Sequence, residues 1–140
     1  MPLSKSEVVI RFSVPTSYDH NPNVAAEDRL DSSSMRSKEF KPSTIPISTG
    51  ASAFLKSALP NPLVDLVTAN SKWAGYVRSE ITVEEIEALG IKVELTPDEC
   101  QFPTVAHAHL SLIGIDGDKR DKLVNQLSKK IVYVPPALSS

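Results

Sequence analysis

The chain has 140 residues, of which 41% are hydrophobic and 23% charged, ordinary values that exclude wholesale disorder and any fibrous class. Fifteen Lys and Arg stand against 17 Asp and Glu, a net charge of -2 that offers no long-range field to nucleic acid or an anionic membrane. The single cysteine, Cys100, excludes an internal disulfide and suits a reducing compartment, so the cytoplasm is the expected location.

The first apolar run, Val8 to Val14, is broken by Arg11 and is too short for a secretory or membrane segment; its period of two predicts a half-buried strand instead. Residues 15–50 then hold nine apolar side chains in 36 positions, with four prolines and the serines 32, 33, 34 and 37. Such a stretch buries too little apolar surface to offset its own ordering entropy unless it lies on a neighbouring core. A connection of that length in a small domain is usually functional or mobile. Phe54, Leu55, Ala58 and Leu59 have helical spacing and predict a helix over 51–59, stopped by Pro60 and Pro62. Residues 63–69 fit either a helical turn or a strand, and 72–81 alternate loosely as a strand.

Thr82 as N-cap with Glu85 three residues on forms a capping box; Ile86 and Leu89 give the apolar side and Gly90 the left-handed stop. Ile91, Val93 and Leu95 alternate with Lys92 and Glu94 in a strand. The next strand is predicted over 105–113, with His107 and His109 on one face. A helix from the Asp116-Gly117-Asp118 turn to about Lys130 buries Leu123, Val124 and Leu127, and a short strand over 131–134 closes at Pro135-Pro136. Residues 1–140 are therefore expected to form a single α+β domain with a long polar segment at about 15–50. Its small mixed or antiparallel sheet would have about five strands, with about three helices packed on one face.

Three blocks carry a resemblance. They are Ser37 to Pro42 (S-K-E-F-K-P) followed by Ile47-Ser48, Thr82 to Val93 (T-V-E-E-I-E-A-L-G-I-K-V), and Phe102-Pro103 with His107-Ala108. In this order the chain resembles a functionally uncharacterised family of small bacterial proteins, over roughly residues 8–113. The resemblance implies recurrence of His107 and of the Ser37 to Pro42 segment, and it supplies no reaction. Here Thr104, Val105 and Ala106 separate the Phe-Pro pair from His107, a wider gap than in those proteins.

The chemistry-bearing residues are few. His107 and His109 on one strand face would stand about 7 Å apart, a spacing that one transition metal can use with Cys100 or His20 as a further ligand. With three histidines and one cysteine in the chain, half-buried sheet histidines are the favoured reading, and no metal or cofactor is expected. Arg11, Ser37 and an acid such as Glu80 or Glu84 follow the residue order of ADP-ribosyltransferase-like folds, which they resemble at that level only. Cys100 lies in no nucleophile signature, and the five glycines form no phosphate-binding loop. Basic residues between 119 and 130 alternate with Asp118 and Asp121, the pattern of a solvated helix face.

The leading expectation is a cytoplasmic protein-interaction or accessory module without its own catalysis. The alternative is a small enzyme or nucleotide-binding domain using Arg11, Lys41 and His107. In either case the ligand or partner site is expected among Arg11, Ser37, Phe40, Lys41 and His107, where the Phe40-Lys41-Pro42 segment meets the His107 face of the sheet. Phe40 would anchor apolar surface and Lys41 an acidic group. Plugging of the open core edge by Phe40 is the equal structural reading.

Overall fold

The computed structural model describes residues 3–30, 51–100, 102–115 and 117–135. Their centre is one six-stranded sheet, antiparallel at every pairing. In chain order its strands are β1 (Val8–Ser13), β2 (Ala51–Leu55), β3 (Val77–Thr82), β4 (Lys92–Leu95), β5 (His109–Ile113) and β6 (Ile131–Tyr133). They lie side by side as β4-β5-β2-β1-β3-β6. The helices are α1 (Pro62–Ala69), α2 (Val83–Glu87) and α3 (Gly117–Lys129), with short 3-10 turns between. The α+β class expected from the sequence holds, with one strand more than anticipated.

Alternation along the strands divides the side chains between two cores. Val9, Ala53, Leu55, Val77, Ile81, Leu110 and Leu112 point to one face, where Ile86 of α2 and Leu123, Val124 and Leu127 of α3 cover them. Ile10 and Phe54 point to the other, under Leu66 of α1, Leu59, Val105 and Ala108, with Phe12, Trp73 and Phe102 at the margin. Helical cover thus lies on both faces, where the sequence reading expected one. The reason is local: Ile10, Phe12 and Phe54 put large apolar side chains on the second face, and such a surface is stable only when something dry lies on it.

Two further expectations are corrected. Residues 51–55 form a strand followed by a 3-10 turn at Lys56–Ala58, not a helix. Ala53 and Leu55 serve one core and Phe54 the other, so a strand buried on both sides presents an unbroken apolar run that mimics helical spacing. The ambiguous stretch after Pro60 is helical, and Lys72–Gly75 belongs to a 3-10 turn before β3. The capping box is present as read: Thr82 Oγ1 accepts from the Glu85 amide at 3.2 Å while Glu85 Oε1 accepts from the Thr82 amide at 3.2 Å. Gly90 takes φ +82°, the left-handed conformation that ends the turn after α2.

Candidate functional site

The start of β2 carries a polar arrangement built by strand pairing. Register sets Ser52 opposite Ser111 and Phe54 opposite His109 on β5, so Ser52, Ser111 and His109 share the face bearing Phe54. Thr96, one residue beyond β4, reaches the same place because its amide donates to the His109 carbonyl at 2.9 Å. His109 is 3% exposed. Its Nδ1 lies 2.9 Å from the Thr96 carbonyl oxygen and 3.0 Å from Thr96 Oγ1, and its Nε2 lies 3.1 Å from Ser52 Oγ. Thr96 Oγ1 in turn lies 2.7 Å from Ser111 Oγ. Phe54 meets the imidazole edge to face at 5.6 Å.

A carbonyl oxygen only accepts, so the Thr96 carbonyl places the proton of the neutral imidazole on Nδ1. Nε2 then carries the lone pair, and the Ser52 hydroxyl is its donor. Ser52 itself is exposed, while the histidine behind it is buried. Its main chain is held from the opposite face of the sheet: the ladder joins Val9 to Leu55 and Ile10 to Phe54, and one step further the Arg11 guanidinium replaces it, Nη1 donating to the Ser52 carbonyl at 2.6 Å.

The sequence-derived candidates fall in different places. Arg11 is 7% exposed, pointing toward the α2 and α3 side. Glu80 projects to the other face, where it pairs with Lys56 at 2.8 Å, so the sheet separates the arginine from this acid. His107 sits in the 3-10 turn Pro103–Ala108, not on a strand, because β5 begins at His109. It is exposed, with Nε2 3.0 Å from the Ala58 carbonyl, and the expected pair of histidines on one strand face is therefore replaced by one exposed and one buried ring. Ser37, Phe40 and Lys41 lie outside the described residues.

Among the described residues there is no group of three His, Cys, Asp or Glu side chains placed to hold a metal. Cys100 is half-buried, and its Sγ accepts from the Phe102 amide at 3.4 Å. Burial pushes its thiol up, against a smaller lowering by that amide, so little reactive thiolate forms at neutral pH. An open depression of about 490 Å³ between α2 and α3 is lined by Leu89, Asp118, Asp121, Lys122, Asn125 and Gln126. Lys122 pairs with Asp118 at 3.3 Å, as a solvated face would.

Sequence reasoning missed Ser52, Thr96 and Ser111. A signal for Ser52 existed: had 51–55 been taken as a strand, period two would have set Ser52 beside Phe54 on one face. For Thr96 there was none, since only the pairing of β4 with β5 brings it to His109.

α1 covers the same face of the sheet. Leu66 is 0% exposed against Ile10 and Phe54, yet Leu63, one turn before it, is 46% exposed and Val64, facing away from the core, 56%. Its single charged residue, Asp65, accepts through Oδ2 from the Asn61 amide at 3.1 Å, at the entry to the helix. α1 packs against the turn that carries His107.

No protein-family model, curated protein or solved structure matches the chain.

Proposed function

We propose that this chain is a protein-interaction or accessory module whose partner packs on the outer side of α1. One observation carries the reading: outside the stripe of Asp65 and Thr68, α1 turns large aliphatic side chains to the surface. Five of its eight residues are aliphatic, its one acid is used at its entry, and Leu63 and Val64 stay outside while Leu66 fills the core. Adjacent exposed aliphatic side chains mark a surface that a further layer can cover. Covering one such side chain fully is worth about 1.5–3 kcal/mol, so the adjacent pair forms a credible anchor for an apolar protein surface. His107 at the neighbouring turn supplies a polar rim that can donate or accept. The net charge of -2 supports a protein partner over nucleic acid, and the single cysteine supports a cytoplasmic setting. The family resemblance supports a bacterial origin.

Arg11, which the nucleotide-binding alternative would use, is buried and donates to the Ser52 carbonyl, so the α1 reading is preferred.

A photo-crosslinking residue at position 64, with one at position 92 on the edge strand as control, tests the proposal in cells that make the protein naturally. Crosslinks to one partner from position 64 alone, lost when Leu63 is replaced by Lys, are expected. Crosslinks from position 64 solely to residues 31–50 of the same chain would overturn it, as would equal capture from both positions.

A further inference from the structure

Beyond docking, the Ser52 arrangement contains the parts of a nucleophile and its base. We infer that Ser52 is an acyl acceptor activated by His109, able to take the acyl group of a small activated ester. The inference does not rest on the α1 reading.

Nucleophilic serines need a base within hydrogen-bond reach and a third group that orients the base. Here Nε2 of His109 lies 3.1 Å from Ser52 Oγ, and the Thr96 carbonyl, 2.9 Å from Nδ1, fixes the tautomer in which Nε2 accepts from the Ser52 hydroxyl. A backbone carbonyl thus takes the orienting position that a carboxylate holds in the serine protease triad. Phe54 packs at the imidazole edge and limits its rotation. Burial to 3% keeps the base dry while the nucleophile stays exposed, the combination that lets an ester approach from solvent. Arg11 fixes the Ser52 main chain from behind.

In the step itself, Ser52 Oγ bonds to the ester carbonyl carbon as its proton passes to Nε2. Collapse of the tetrahedral adduct breaks the bond to the leaving alcohol, which takes that proton. The product is an ester of Ser52. Water deprotonated by the same Nε2 then attacks this ester, releasing a carboxylic acid and restoring the hydroxyl. No electrons are exchanged with a third reagent.

The test uses the full chain, a fluorophosphonate probe and 4-nitrophenyl acetate. Wild type is expected to be labelled once, at Ser52 by peptide mass spectrometry, and Ser52→Ala to lose the label. The labelling rate should rise with pH and then level, since only the neutral ring accepts the proton. His109→Gln should slow labelling and ester cleavage about a hundredfold, the usual weight of a general base. Should His109→Gln not fold, the wild-type pH profile decides. Absence of label in folded wild type overturns the inference, and so does a rate that climbs steadily with hydroxide or is unchanged in a folded His109→Gln variant.

Discussion

Arg11 and Ser52 stand on neighbouring strands, but a side chain joins them: Arg11 Nη1 donates to the Ser52 carbonyl 2.6 Å away, just past the last ladder pair of β1 and β2. The buried arginine thereby clamps the strand that carries the candidate nucleophile.

Replacing Arg11 by Met keeps most of the length and removes every donor. A hydrogen bond from a charged group is worth about 1.5–3 kcal/mol, so the urea midpoint should fall by that equivalent with the m-value unchanged. Amides of residues 52–54 should also exchange faster than those of β3. Unchanged exchange at 52–54 would show that the ladder alone holds the start of β2.

At α2 the reciprocal bonds between Thr82 and Glu85 satisfy two donors that the first turn otherwise orphans. Thr82→Ala removes one acceptor and should cost about 1 kcal/mol. Because the Thr82 amide keeps Glu85 as its partner, Thr82→Ser should recover most of the loss. A serine variant as weak as the alanine one would mean that the methyl group, not the hydroxyl, matters.

Glu85 also makes stability depend on pH. Burial alone pushes its carboxyl up, but the hydrogen bonds from the Thr82 amide and hydroxyl, with Lys130 3.3 Å away, outweigh that and hold it below its ordinary 4.5. A folded value below the unfolded one means that the unfolded chain binds the proton more readily. The contribution is therefore fully present above the ordinary carboxylate range and disappears as pH falls through the lower folded value. Glu85→Gln preserves the amide acceptor and removes the charge. Wild type should exceed it in denaturation midpoint at pH 7, and the gap should narrow as pH falls below the ordinary carboxylate range. A gap that persists in acid would assign the difference to packing.

Legibility followed locality. The capping box, Gly90 and the alternation of Ile91 to Leu95 depend on residues within a few positions of one another, and the structure has them where the spacing put them. β2 was misread because Ala53, Phe54 and Leu55 are all buried, on alternate faces, and burial on both sides erases the period-two signal. His107 and His109 were expected to share a strand face, but Pro103 starts a 3-10 turn that lasts to Ala108 and delays the strand. The candidate site was the least legible part. Its members, Ser52, Thr96 and His109, come from three segments whose meeting depends on the β4-β5-β2 order, which no local pattern encodes.

Leu63 and Leu66 offer the sharpest contrast in α1, because they are the same residue type one turn apart on one helix, the first half-exposed and the second fully buried. Leu66 is fully buried among Ile10, Phe54, Leu59, Val105 and Ala108, so Leu66→Ala leaves a cavity in the second core. Its cost should lie at about 2–5 kcal/mol. Leu63→Ala removes atoms that are already half in water and should stay within about 0.5 kcal/mol. The functional consequence should run the other way: if α1 docks a partner, Leu63→Ala weakens binding in a folded protein, whereas Leu66→Ala acts only through stability. Urea titrations of both variants, with crosslinking yield from position 64 measured below the unfolding transition, separate these effects. A loss at Leu63 as large as that at Leu66 would show that the outer side of α1 is already covered within the chain, and the docking proposal would then fail along with its anchor.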